Sequence, residues 1–123
     1  MEGLTSDAME QIGAYFTALS EPTRLQILTL LRNGEQNVGD LALQCGYTSA
    51  NISRHLAILS KNGLVTKDSR GTSVYYRIAD ESVYTLCDLV CGNILRQLEE
   101  KAVSQKEFAK TAKLAKKRAV NSI

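Results

Sequence analysis

The stretch that decides the fold runs from Leu41 to Leu64, LALQCGYTSANISRHLAILSKNGL. It reads as one helix closing at Gly46, a tight turn through Tyr47 and Thr48, and a second helix from about Ser49 to Lys61. Gly46 supplies the backbone freedom needed just past a helix end, and Thr48 or Ser49 offers a hydroxyl to cap the next one. Within the second helix Ile52, Leu56 and Leu59 recur at i, i+4 and i+7, which marks a buried stripe. The opposite side holds Ser49, Asn51, Ser53, Arg54 and His55, short polar donors with a guanidinium and an imidazole and no carboxylate. Two helices on a short glycine turn, the second with a cationic polar front, predict a helix-turn-helix.

Working outward, Met9, Ile12, Phe16 and Leu19 share one face at helical spacing, so an amphipathic helix is expected over Ala8 to Leu19. Ser20 suits the N-cap of a further helix over about Glu21 to Arg32, with Pro22 in its first turn and Leu25, Leu28 and Leu31 inside. Asn33-Gly34 ends it, and Val38, Leu41, Ala42 and Cys45 trace the inner face of the helix that follows. Downstream, LVTKDSRGTSVYYRI reads as two strands around a Ser69-Arg70-Gly71 turn, because its β-branched and aromatic residues suit a pleated surface. A basic hairpin placed directly after such a helix is a wing, able to lie against phosphates or enter a minor groove. Finally Val83, Cys87, Val90, Cys91, Ile94 and Leu98 line one side of a long helix from Glu81 to about Lys101, with Asp80 as its expected cap. Its apolar face predicts packing on another helix or a second subunit.

The 123 residues suffice for one domain of modest core, 1–101, followed by a basic tail, 102–123. Hydrophobic residues at 44% and charged residues at 23% describe neither a disordered nor a membrane-embedded chain. No apolar run approaches the roughly 18 residues of a spanning helix, and the acidic start MEGLTSDAME is unlike a signal peptide, so a cytoplasmic location is expected. Net charge is only +2, but its distribution is informative. Between Ser49 and Arg77 stand Arg54, Lys61, Lys67, Arg70 and Arg77 against the single acid Asp68, while acids gather on either side of that segment. A basic reading segment on an otherwise acidic body is the footprint of a DNA binder. From Lys101 onward the chain carries seven cations and one acid, which suits either non-specific phosphate affinity or solubilisation. With one histidine, no glycine-rich phosphate loop and no placed nucleophile-base pair, an enzyme is not expected.

The motifs EPTRLQILTLL, NVGDLALQCGYTSANISRHLAIL, NGLV and RGTSVYYRI, in that order, resemble the ArsR/SmtB family of winged-helix repressors over roughly residues 8 to 100. The resemblance implies a mainly α fold with a small β-hairpin, a winged helix-turn-helix that forms a homodimer through its first and last helices. It implies a repressor bound to double-stranded operator DNA, with no cofactor required for DNA binding, and released by a metal, a metalloid or an oxidant. Carried over to this chain, the family's DNA-contacting positions are Thr48, Ser49, Asn51, Ser53, Arg54 and His55, with Lys67, Arg70 and Gly71 at the wing. Arginine suits guanine, asparagine suits adenine, and serine or threonine suits base or phosphate. The family's zinc ligands on the last helix are not matched, since no histidine lies there. Its C-x-C motif before the turn is replaced here by VGDLALQC.

Three cysteines without C-x-x-C pairing exclude a disulfide framework and a four-ligand zinc site within one chain. Cys87 and Cys91 are four residues apart on one helix, so their thiols share a face one turn apart. Two thiolates so placed can chelate As(III), Sb(III), Cd(II) or Hg(II), with Cys45 or a thiol of a second subunit as candidate third donor. A disulfide at this spacing would be strained, whereas oxidation or persulfide chemistry would not. Three readings stay open on these residues: release by a thiophilic ion, release by oxidant or reactive sulfur, and a constitutive DNA-binding or interaction module whose cysteines only pack.

Overall fold

The computed structural model describes residues Met1–Asn121. Five helices and three strands follow in the order α1 (Ser6–Leu19), α2 (Pro22–Leu31), β1 (Gln36–Asn37), α3 (Val38–Cys45), α4 (Ser49–Lys61), β2 (Val65–Arg70), β3 (Ser73–Ile78) and α5 (Ser82–Asn121). The chain divides into two compact units, one ending at Glu81 and the other starting at Ser82.

The first unit closes around Ile27, Leu31, Leu41, Ile52, Leu56 and Leu59, all fully buried, with Leu64, Val65 and Tyr76 of the hairpin beside them. Each such aliphatic side chain contributes roughly 1.5–3 kcal/mol relative to exposure. The i, i+4, i+7 stripe of α4 is therefore the inner face of that helix. The stripe read for α2 is rotated, because Leu25 stands exposed at 39% while Ile27 is sealed inside. Spacing alone could not choose between two leucine-rich faces of that helix.

The turn between α3 and α4 has the expected chemistry. Gly46 is left-handed at φ 72°, and its N–H donates to Leu43 O while Tyr47 N–H donates to Ala42 O at 3.1 Å. This is a Schellman closure. Thr48 then caps α4, its Oγ1 accepting from Asn51 N–H at 3.1 Å. The cap of α2 differs from the sequence reading. Glu21, not Ser20, accepts from Arg24 N–H at 3.0 Å, and the Ser20 hydroxyl instead donates back to Thr17 O.

The sheet is antiparallel in the order β1-β3-β2, with Val65 opposite Ile78 and Arg70 opposite Ser73. That register moves the turn to Gly71-Thr72, where Gly71 takes φ 60° as the first residue of a two-residue hairpin loop. The two-residue β1 pairs Gln36 with Tyr76 and Asn37 with Tyr75, and nothing in so short a polar segment announces it.

In the second unit, α5 does not stop near Lys101 but runs on to Asn121, a single helix of 40 residues. The segment read as a tail is thus the second half of that helix up to Asn121, while Ser122 and Ile123 lie outside the described residues. Val83 and Tyr84 are buried, whereas Val90, Ile94 and Leu98 are about half or more exposed. In the first unit the apolar face of α1 is likewise open, with Met9 at 46% and Phe16 at 51%. Among the described residues no helix is long and apolar enough to cross a membrane.

Two glycines separate conformational from steric demands. A Cβ at Gly46 would meet nothing within 4 Å, so Gly46→Ala should destabilise by about 1–2 kcal/mol purely through its left-handed backbone. Gly39 lies in a helix with ordinary φ, and Gly39→Ala should stabilise by up to about 1 kcal/mol. Urea denaturation of the two variants checks the opposite signs.

Candidate nucleic-acid interface

The outward side of α4 is set by its core stripe: with Ile52, Leu56 and Leu59 inside, Ser49, Ser53, Arg54 and Ala57 stand exposed. Arg54 is the cation of this face, and no acid shares the helix with it. Thr48, at the N-terminus, is exposed too, its hydroxyl oxygen committed to the cap while its proton stays available to an acceptor.

Asn51 and His55 are placed differently from the sequence reading. Asn51 is half-buried, and its Oδ1 is shut away from solvent without a hydrogen-bond partner. Bidentate pairing to adenine needs both ends of the amide in the groove, and the buried Oδ1 is not available for it in this conformation. His55 turns inward, its side chain 17% exposed. Its Nδ1 is 3.3 Å from Arg24 Nη1 and 3.7 Å from Glu21 Oε2. That contact ties α4 to the buried guanidinium of α2.

Arg24 is the residue the sequence reading passed over. Buried at 8% exposure, it donates through Nε to Ala18 O at 2.6 Å and through Nη2 to Thr17 O at 3.2 Å. It thereby satisfies the carbonyl end of α1, starts α2 through Glu21, and reaches His55 on α4. A signal was present: Arg24 sits four and seven residues before Leu28 and Leu31, on the apolar face of its helix. Partial desolvation pushes the Glu21 carboxyl up, but the hydrogen bond from Arg24 N–H and the nearby His55 outweigh it, leaving Glu21 below the usual carboxylate range.

At the wing, Lys67 is exposed and Gly71 forms the tip. Arg70 is not free. Its guanidinium holds Glu35 through two bonds of 2.7 and 2.8 Å, donates from Nε to Asp68 at 3.0 Å, and lies 4.7 Å over the Tyr75 ring. These carboxylates hold it more firmly protonated than a free arginine. Three of its five N–H donors are thus engaged by carboxylates. Glu35 had no role in the sequence reading, because it lies 35 residues away and only folding brings it to the wing.

All three cysteines are free of disulfides. Cys45 is half-buried at the end of α3, and desolvation raises its thiol pKa. Cys87 is half-buried and Cys91 exposed, one turn apart on α5. Among the described residues no three His, Cys, Asp or Glu side chains lie together as a metal site. A cleft of about 670 Å³ between α1 and the end of α4, touched by Ile12, Tyr15, Lys61 and Asn62, presents neither acid nor thiol.

Comparison with known proteins agrees with this geometry. Residues 21–67 match the model of bacterial regulatory proteins of the arsR family. The chain is 41% identical over 85 residues to the HTH-type transcriptional regulator NmtR of Mycobacterium tuberculosis, spanning 69% of this chain and 71% of that one. To the transcriptional repressor SmtB homolog of Synechocystis it is 34% identical, covering 69% of this chain and 64% of the relative. Among solved structures, a homodimeric winged helix-turn-helix DNA-binding domain from Mycobacterium bovis superposes with a TM-score of 0.69 at 36% identity, covering 81% of this chain and 95% of that fragment. The AntR antimony-specific transcriptional repressor superposes at 0.67 with 27% identity, covering 80% and 90%.

The lowered Glu21 carboxyl gives a signed pH dependence. Its contribution to stability is present above its ordinary value of 4.5 and is lost as pH falls through the lowered folded value. Glu21→Gln keeps an oxygen to cap Arg24 N–H but cannot titrate. Thermal melts from pH 7 to pH 3 should therefore fall less steeply for the variant than for the wild type below pH 4.5.

Proposed function

The chain belongs to the arsR family of bacterial regulatory proteins, transcriptional repressors and not enzymes, and on that footing we propose that it is a homodimer that reads operator DNA with α4 and is released through Cys87 and Cys91. The observation that carries the reading is the two-sidedness of α4, whose aliphatic stripe is fully buried while Arg54 and three small polar residues at its N-terminal end face outward without an acid. A helix N-terminus so furnished enters a major groove with its donors toward base edges and phosphates. Lys67 and the Gly71 tip extend the contact along the backbone, and Arg70 joins it when phosphate displaces Glu35. His55 acts here as a positioning residue, tying α4 to α2, rather than as a base reader.

Two subunits match a two-fold operator, and the open apolar faces of α1 and α5 are the surfaces that would join them. One of the similar structures is that of an antimony-specific repressor, which favours a thiophilic ion as inducer. Cys87 and Cys91 supply two soft donors from one face of α5, and a third sulfur for As(III) or Sb(III) would come from the second subunit. Binding there biases the dimer toward a spacing that no longer fits successive major grooves, a population shift rather than a blocked site. A second reading, oxidation or persulfidation of the same thiols, is favoured by one observation: Cys91 is exposed.

Two measurements test this. Arg54→Ala should weaken operator binding by roughly 1–3 kcal/mol while leaving the melting temperature nearly unchanged, and an equal loss on unrelated duplexes would make Arg54 a phosphate contact. The double variant Cys87→Ser with Cys91→Ser should bind operator like wild type yet stay bound when As(III), Cd(II) or a polysulfide is added in a fluorescence anisotropy titration. Normal release from that variant sinks the sensing assignment.

A further inference from the structure

The second half of α5 holds a charge pattern that the recognition helix does not explain. Lys106, Lys110, Lys113 and Lys117 follow one another at spacings of four, three and four residues, so they form one stripe along the helix. All four are exposed, and none forms an ion pair among the described residues. The opposite side carries Phe108, Ala112, Ala115 and Ala119, and the only acid after Glu100 is Glu107. The stripe covers about 17 Å of helix axis at 1.5 Å per residue.

We propose that this lysine stripe is a second DNA-binding surface, taking the phosphate backbone of duplex DNA without regard to sequence. Neighbouring lysines at these spacings repel one another, so the arrangement disfavours the helix unless a polyanion neutralises it. The helix dipole accounts for a cation in the last turn, where Arg118 lies, but its effect has faded two or more turns earlier at Lys106 and Lys110. A solubilising face would mix both signs, as the stretch Arg96 to Lys101 does. A membrane surface is a poor match, since the reverse side offers one phenylalanine and three alanines where an interfacial helix needs several bulky apolar groups. Duplex DNA supplies one phosphate charge per roughly 1.7 Å of axis, so regularly spaced point charges find acceptors at any register. Lysine, a flexible point charge without a planar fork, suits that undirected contact. The stripe would hold the repressor on flanking DNA and raise its local concentration near the site that α4 reads.

The inference rests on the reading of the chain as a DNA-binding regulator, and its test separates the two. The full chain and the quadruple variant K106Q/K110Q/K113Q/K117Q are titrated by fluorescence anisotropy onto a random-sequence duplex at 50 to 200 mM NaCl. Circular dichroism verifies that the variant stays helical. The slope of log K against log salt should shrink by ~0.9 for each lysine engaged, about 2–4 per chain, with at least a roughly tenfold loss of affinity at the lowest salt. The quadruple lysine-to-arginine variant should restore the slope. An unchanged slope in the glutamine variant overturns the stripe but leaves the α4 reading standing. A wild type that ignores DNA even at 50 mM salt overturns both. Retention of the wild type on phosphatidylserine vesicles, lost in the glutamine variant while DNA binding is unchanged, would assign the stripe to a membrane instead.

Discussion

A single buried guanidinium sets the geometry of the first unit. Arg24 cannot be deprotonated, so its charge must be met inside the protein, and it is met by two carbonyls at the end of α1 and an imidazole on α4. These partners come from two other helices, α1 and α4. Removing any one leaves a buried donor without an acceptor, and such a loss outweighs the modest net worth of a made hydrogen bond. Hydrophobic burial draws the helices together without fixing their relative rotation. The directional bonds of Arg24 fix which side of α4 turns inward at His55, and so which side is left for Arg54.

The wing is governed by a different balance. Arg70 is nearly half exposed, and its carboxylate partners Glu35 and Asp68 compete with water for it. An exposed pair of this kind contributes little to stability. Its consequence is positional: it ties the hairpin to the loop before β1 and neutralises the wing's cation until a stronger anion arrives.

The second unit relies on neither device. Along α5 the apolar residues change from Val90, Ile94 and Leu98 to alanines, while cations take over one side. A helix of this length cannot be held by propensity alone, and most helical stability comes from packing an amphipathic face. The exposed aliphatic residues of its first half are such a face, and the thiols of Cys87 and Cys91 sit on the same helix. Under the proposed reading, a ligand on those thiols would act on the helix expected to join the subunits, far in sequence from α4.

The helix-turn-helix, its glycine turn, its wing and the emptiness of its recognition face of acids were legible in the chain, because period, turn chemistry and charge order are local properties of a sequence. The rotation of α2, the inward turn of His55, the sealed Oδ1 of Asn51 and the capture of Arg70 were not. Each depends on a partner brought close by folding, 31 residues away for His55 and Arg24 and 35 for Arg70 and Glu35. The continuation of α5 past Lys101 was hidden for another reason, since a lysine- and alanine-rich segment carries good helix propensity but little of the apolar period by which helices are recognised. The sequence by itself determined which elements form and which sign of charge each displays. Only the tertiary structure decided which donors are spent inside the protein and which remain for a ligand, because a hydrogen bond is assigned by distance in space and the chain fixes distance only along itself.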